Sequence, residues 1–167
     1  MTRRGFAVAV IVVACVGPAA AQSSSSAPHT GGFSPFRGRD YAGTEFDALA
    51  LEQGGCPLEL SIASVGRDDR GVTLTIRVAN PSEGPIVGHV IAVWVLAADG
   101  TVRGSQQSKQ SKALAAAESR HQDVALRTLR VQAGDTIVAA VQEAIGTARW
   151  RKDTTALEAE VKAALGK

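Results

Sequence analysis

The sequence predicts an all-β fold, an antiparallel β-sandwich of about seven strands followed by one short α-helix. Residues 72–78, VTLTIRV, alternate apolar and polar side chains with the period of a strand that has one buried and one wet face. Residues 86–97 form a longer apolar run, and a segment rich in Pro and Gly separates it from the first. Because a strand pair cannot bury its apolar side alone, a second layer must cover it.

The first 21 residues have the order of an export signal. Two arginines precede an apolar run over residues 6–16, a Gly-Pro pair interrupts it, and three alanines supply a small-residue cleavage site. The run is too short to span a bilayer comfortably. An alternative interpretation takes residues 12–15, VVAC, as a lipobox similar to those of bacterial lipoproteins. We therefore expect a secreted or periplasmic protein cut after Ala21, or a protein anchored to the envelope through a lipid on Cys15.

The net charge of the mature chain bears on which partners it could bind, and its cysteine content bears on whether disulfides stabilise the fold. Removal of residues 1–21 takes two of the 18 basic residues, leaving 16 against 16 acidic residues. A neutral chain gives no electrostatic reason to expect nucleic acid or an anionic surface as a partner. Cleavage also leaves Cys56 as the remaining cysteine, so no intrachain disulfide is expected. We interpret Cys56 as a half-buried thiol, with a link between chains as the alternative.

Two segments are expected between the signal and the sandwich. Residues 22–43 are rich in Ser, Gly and Pro and lack apolar periodicity, which predicts a disordered tether. Residues 44–55 form a short segment that leads into the domain. Thr44 and Asp47 resemble a capping box, and the glycines at 54–55 can end a helix, so one or two helical turns are predicted there. An extended edge segment is the alternative.

The sandwich itself is expected over residues 56–152, where alternation and turn signals delimit its strands. The third predicted strand, residues 86–97, is apolar on both faces, which is typical of a strand that is covered twice or exposed to a partner. Residues 108–119 include an Ala-rich part with helical propensity. A sandwich nevertheless needs a crossing loop at this place, and we expect the loop. The predicted strands are residues 58–63, 72–79, 86–97, 101–107, 120–126, 136–143 and 147–151.

Residues 153–167 predict an amphipathic C-terminal helix. Thr155 and Glu158 fit a capping box, and Leu157, Val161 and Leu165 recur at helical spacing. A helix this short is below the roughly 12–15 residues at which isolated helices are marginal in water, so it must dock or fray. We expect it to cover the outer apolar face of the strand that carries Trp94.

Several short sequence patterns follow one another along residues 56–152. They are the alternation over 72–78, Asn80-Pro81, the alternation over 91–95, Asp99-Gly100-Thr101-Val102, Leu114 and Glu118. This order resembles immunoglobulin and fibronectin-III sandwiches and, more narrowly, the small bacterial extracytoplasmic FxLYD-type domains. Residues 93–97, VWVLA, occupy the motif that names those domains, but its Phe, Tyr and Asp are absent. The resemblance therefore implies a fold and transfers no functional residue.

The same resemblance implies an orientation for the third strand. In it Ile91, Val93 and Val95 point into the sandwich, and Trp94 points outward with Val138 and Ala140 as neighbours. An inward Trp94, as in antibody domains, is the alternative.

No arrangement of reactive residues in the sequence marks a catalytic or metal site. The three histidines lie apart, no serine stands in a G-x-S-x-G setting, and no Cys, His or acidic spacing fits zinc or calcium. Residues 149–152, RWRK, combine basic and aromatic side chains, but a solvated last strand whose Trp packs on the sheet is the simpler interpretation. We predict no enzyme activity, no cofactor and no metal, with a hydrolase that has an unrecognised site as an alternative.

The two-sided apolar strand and the tether support two functional interpretations. The first is an exported, non-enzymatic binding or scaffold module of the bacterial cell envelope that meets another protein through a sheet face or an edge strand. Its expected partner-binding surface consists of Val90, Trp94, Leu96 and Val138. The second is a purely structural accessory domain whose C-terminal helix closes this face and leaves no free patch.

Overall fold

The computed structural model describes residues 41–42 and 45–166, and this part of the chain forms nine strands and one helix. The predicted signal, Cys15 and most of the predicted tether lie outside the described residues. The elements are β1 Tyr41–Ala42, β2 Phe46–Ala50, β3 Glu59–Asp68, β4 Gly71–Ala79, β5 Gly88–Leu96, β6 Val102–Gln110, β7 Ser119–Leu126, β8 Asp135–Ile145, β9 Arg149–Arg151 and α1 Thr154–Ala164.

These strands form two sheets. The larger sheet has the order β1-β2-β8-β5-β6, with β9 also paired to β8, and the smaller sheet has the order β3-β4-β7. All pairings are antiparallel except that of β2 with β8. The chain changes sheets between β2 and β3, between β4 and β5, between β6 and β7 and between β7 and β8. The predicted β-sandwich with one short C-terminal helix is confirmed.

The main core lies between the two sheets and uses alternate residues of each strand. In β4 the inward side chains begin at Val72 and continue at every second position to Val78, all at most 3% exposed. In β5 Ile91, Val93 and Val95 are fully buried in the same core. The period of two in the sequence is thus the period of burial, because successive side chains of a strand point to opposite faces.

A second, smaller apolar cluster lies on the outer face of the larger sheet, beneath α1. Trp94 is fully buried there and pairs in register with Val138 on β8. Leu157 and Val161 of α1 are also fully buried. The outward orientation of Trp94 and the docking of the helix are confirmed. The cluster comprises Leu51, Ala92, Trp94, Leu96, Val138, Ala140, Leu157 and Val161.

The start of α1 differs from the predicted capping box. Asp153 is the N-cap, and its carboxylate accepts a hydrogen bond of 2.9 Å from the backbone N–H of Thr155. Glu158 forms an ion pair of 2.8 Å with Lys162 one turn later. The predicted cap at Thr155 is wrong because the aspartate provides an acceptor for a free N–H of the first turn one residue before the helix begins.

Within the segment expected over residues 44–55, Phe46–Ala50 form the strand β2, so the predicted helical turns are wrong there and the extended alternative is correct. Phe46, Ala48 and Ala50 are buried at a period of two, and β2 extends the larger sheet by parallel pairing with β8. Beyond β2 the Gln53 side chain continues this ladder. Its Nε2 donates to the Val141 carbonyl at 3.0 Å, and its Oε1 accepts from the Val141 N–H at 2.7 Å.

The loop expected between the two sheets is present over residues 111–118. Leu114 is 1% exposed, and its backbone exchanges two hydrogen bonds of 2.8 and 2.9 Å with Ile86. Burial of this one side chain and its pairing with the start of the next sheet override the helical propensity of the neighbouring alanines. The preceding strand β6 extends to Gln110, beyond the predicted end at residue 107.

Candidate functional site

Three of the four residues of the predicted partner-binding surface, Trp94, Leu96 and Val138, lie in the cluster beneath α1. Trp94, Leu96 and Val138 are 0% exposed, and Val90 is half-buried. The helix occupies this face because its own apolar side chains need the same burial that a partner would have supplied. The helix covers this face as expected, so a partner could reach Trp94, Leu96 and Val138 only after displacement of the helix, and their role as a partner-binding surface stays a prediction.

An open cleft lies at one end of the sandwich, between the β4–β5 connection and the β8–β9 turn. Its volume is about 350 Å³, which falls in the range of roughly 300–1,000 Å³ that is typical of ligand sites. We call it the Trp150 cleft. Its lining is mostly apolar and includes Pro57, Pro85, Ile86, Thr147, Arg149 and Trp150.

Asn80 fixes the loop that forms one wall of the Trp150 cleft. The side chain is 0% exposed, and its Nδ2 donates to the carbonyls of Gly84 at 2.8 Å, Ala115 at 3.0 Å and Leu114 at 3.3 Å. Its Oδ1 accepts from the backbone N–H of Ser82 at 3.1 Å and from the Ser82 hydroxyl at 2.5 Å. One buried amide thus joins the β4–β5 connection to the loop over residues 111–118, so this wall is preformed.

Gly146 allows the second wall to approach the first. A Cβ at this position would lie 2.9 Å from Cδ1 of Ile86 and 3.2 Å from the carbonyl oxygen of Pro85. A side chain here would require the end of Ile86 to shift and the Pro85 carbonyl to give by a few tenths of an ångström. Glycine at this turn therefore allows the close approach of the two walls.

Trp150 supplies the aromatic side of the cleft from β9. It pairs in register with Ala144 on β8 and packs partly buried against the main core. The ammonium of Lys152 lies 5.8 Å from the centre of its ring, a cation–π distance. Arg149 is ion-paired with Glu143 at the rim. A tryptophan packed on the sheet agrees with the interpretation of residues 149–152 as part of a last strand.

His89 forms a buried polar link between the two sheets of the sandwich. Its Nε2 lies 2.8 Å from Oε1 of Gln122 on β7, and Nε2 of Gln122 donates to the Ser108 hydroxyl on β6 at 2.9 Å. Since the amide oxygen can only accept, Nε2 of His89 carries the proton, and Nδ1 is left without a described partner. An amide, rather than a carboxylate, orients this ring, so the geometry fits a structural histidine better than a catalytic base.

This link predicts acid sensitivity. Burial lowers the pKa of His89 below its ordinary value of 6.5, nearby Arg120 lowers it further, and the bond to Gln122 partly opposes the shift. The unfolded chain therefore takes up a proton before the folded chain does as the pH falls. We expect the free energy of unfolding to decrease below pH 6.5, by at most about 1.4 kcal/mol per pH unit from this group, until the folded His89 is protonated too.

Urea unfolding of the wild type, His89→Gln and His121→Gln between pH 5 and 8 measures this effect. The His89 variant should lose part of the acid dependence, whereas the variant at His121, which is exposed on β7 of the smaller sheet, should retain it. An unchanged pH profile in the His89 variant would contradict the assignment.

Comparisons with known proteins do not assign a function to this site. Comparison with models of protein families, with curated proteins and with solved structures found no match for this chain. Among the residues that the structure describes, no three His, Cys, Asp or Glu side chains come together as a group that could hold a metal ion. The helix in the described region is too short to cross a membrane.

Proposed function

We propose that this chain is an exported, non-enzymatic binding or scaffold module of the bacterial cell envelope that acts through contacts with another protein. The observation that carries the proposal is the Trp150 cleft, which is concave, mostly apolar and open to solvent. Recognition sites commonly combine such a lining with a few polar groups at fixed positions. Because Asn80 holds one wall in place, binding there requires little ordering of the loop.

The free edge of the larger sheet is a less suitable contact. The edge strand β6 exposes Arg103, Ser105, Gln107 and Lys109 in alternation. Positive side chains near both ends of an edge strand are a common defence against pairing with another strand.

Crosslinking in intact cells tests the proposal. A photo-reactive amino acid in place of Ala148, an exposed residue of the cleft, should give a discrete adduct with another protein. The matched control carries the same photo-reactive amino acid in place of Ser64, which is exposed on β3, an edge strand of the smaller sheet. Equal adducts at both positions, or none at Ala148, would count against the cleft as a contact surface.

A structural accessory domain is the second candidate function, and the position of α1 favours it. The helix closes the apolar face around Trp94, so the sheet needs no partner to be stable. This function predicts no discrete adduct at Ala148 and no change in other envelope proteins when the cleft is altered. The crosslinking experiment therefore separates the two candidates.

Export is a separate part of the proposal, supported by the order of residues 1–21. Mass spectrometry of the mature protein from cells should find an N-terminus at Gln22. A lipid-modified N-terminus at Cys15 would instead establish the anchored form, in which the membrane is reached through the lipid alone. Retention of Met1 would contradict export by either route.

A further inference from the structure

The chain that leads into β1 comes from the end of the sandwich where the Trp150 cleft lies. β1 pairs antiparallel with β2, with Tyr41 opposite Ala48. β2 pairs in parallel with β8, with Ala48 opposite Ile137. Followed backwards from Tyr41, the chain therefore runs in the direction in which β8 runs forwards. β8 ends at Ile145, next to the β8–β9 turn that lines the cleft.

The register shows which residues would reach this end if β1 continued. Positions five to eight before Tyr41 are residues 33–36, and positions five to eight beyond Ile137 are residues 142–145 of β8. β9 pairs with residues 143–145 on the same side of β8 as β2, because β5 pairs with the other side. An extension of β1 would therefore come beside β9, whose outer edge has no strand partner among the described residues.

The sequence of this segment fits both the edge and the cleft. Residues 33–36 read Phe-Ser-Pro-Phe, and they hold the only Phe, Tyr or Trp residues of the predicted tether before Tyr41. The cleft presents an indole, two proline rings and the Ile86 side chain, against which an aromatic ring can be buried. Pro35 lacks a backbone N–H, which is tolerated in an outermost strand. The segment can therefore pair along β9 and place a phenylalanine in the cleft.

Charge complementarity supports the same path. Arg37 lies four positions before Tyr41 and would come level with Val141, whose backbone bonds to the Gln53 side chain. Glu52 adjoins Gln53 in the connection from β2 to β3. An extended segment thus brings a guanidinium near a carboxylate on its way to the cleft, and opposite charges favour that approach.

We propose that residues 33–36 of the chain itself occupy the Trp150 cleft in the free protein, with β1 extended along β9 and a phenylalanine ring against Trp150. This inference rests on the proposed binding function and adds its regulation, because a partner must displace the chain's own segment. Cleavage after Ala21 and lipid attachment at Cys15 both leave this segment in the mature protein. A segment held by a short linker has an effective concentration of about a millimolar, so even weak docking is populated.

The indole N–H resonances of the two tryptophans test the proposal in purified protein that begins at Gln22. Phe33→Ala together with Phe36→Ala should shift the Trp150 resonance, because an aromatic ring leaves the indole. Trp94, buried beneath α1, should not move. The matched control is His29→Ala, which removes a ring from the same segment outside residues 33–36 and should leave both resonances in place. An unchanged Trp150 resonance in the double variant would overturn the proposal.

A peptide supplied from outside tests whether the lost contact can be restored. Acetyl-Phe-Ser-Pro-Phe-amide should return the Trp150 resonance of the double variant toward its wild-type position in a saturable manner, whereas acetyl-Ala-Ser-Pro-Ala-amide should not. The same phenylalanine peptide should bind the wild type more weakly, by about twofold to tenfold, because it competes with the attached segment. Equal binding to both proteins, or no restoration at millimolar concentration, would contradict occupation of the cleft by residues 33–36.

The photo-reactive variant at Ala148 distinguishes this inference from the proposed function. In purified protein, where no partner is present, the group should link to residues 33–36 of the same chain. In intact cells, the double phenylalanine variant should increase the adduct with another protein by about twofold or more. An internal link without any adduct in cells supports occupation and contradicts the binding function. An adduct in cells that the double variant leaves unchanged, with no internal link, supports the binding function and overturns occupation.

Discussion

Replacement of Leu157 by Ala is expected to lower the free energy of unfolding by about 2–5 kcal/mol, the range measured for fully buried leucines. Leu157 is 0% exposed and packs with Trp94 beneath α1. The helix has 11 residues, too few to persist in water without docking. Loss of this side chain therefore weakens both the apolar cluster and the helix that depends on it.

Two measurements check this expectation. Urea unfolding gives the loss of stability, and quenching of tryptophan fluorescence by acrylamide reports exposure of Trp94 when the helix detaches. Quenching is best measured in a Trp150→Phe background, so that the signal comes from Trp94 alone. We expect a higher quenching constant in Leu157→Ala than in the parent protein.

Leu165→Ala is the matched control, because it makes the same chemical change near the end of the same helix. Leu165 is only partly buried against the cluster, so less apolar area is lost and a smaller destabilisation is expected. Equal losses in the two variants would show that the burial of Leu157 in the cluster does not govern the result, because alanine has the higher helix propensity and propensity alone cannot cause a loss.

The sequence predicted the sandwich well because local pattern and burial coincide in its strands. Alternation in β4 and β5 is a property of adjacent residues, and it survives in the structure as alternate burial. The docking of α1 was predictable for a related reason. The outer sheet face around Trp94 is apolar and must be buried, and the helix is too short to persist in water without docking. Each therefore provides the apolar surface that the other needs.

The function of the Trp94 face was not predictable from the same pattern. An apolar strand face predicts that another surface buries it. A partner protein and the chain's own helix would bury it equally well, so the pattern does not distinguish them. The start of α1 at Asp153 and the parallel pairing of β2 also depend on single contacts. Such contacts leave no periodic signal in the sequence.

The Trp150 cleft was missed because its walls are distant in sequence. Asn80-Pro81 was recognised as part of a turn and Trp150 as part of a last strand, and nothing in either segment indicates that they meet. A polar residue followed by two prolines and a glycine within six positions was the one available signal. It predicts an interruption between two strands, and the hydrogen bonds of Asn80 show what holds that segment in place.

Replacement of Asn80 by Ala is expected to lower the free energy of unfolding by about 2–4 kcal/mol. A typical hydrogen bond contributes about 0.5–1.5 kcal/mol, and a buried group left without a partner costs about 1–3 kcal/mol. Asn80 is 0% exposed and binds groups on both loops at this end of the sandwich. Its removal leaves the buried carbonyl of Leu114 without the amide that now donates to it, although that carbonyl retains its bond to Ile86.

Two further variants separate the parts of this network in urea unfolding. Ser82→Ala removes the hydroxyl that donates to Asn80 Oδ1 and should cost about 0.5–1.5 kcal/mol. Asn80→Asp keeps an acceptor for Ser82 but places a carboxylate against carbonyl oxygens, so it should destabilise at least as much as Asn80→Ala. A neutral effect of Asn80→Asp would mean that the amide donors do not hold the loop.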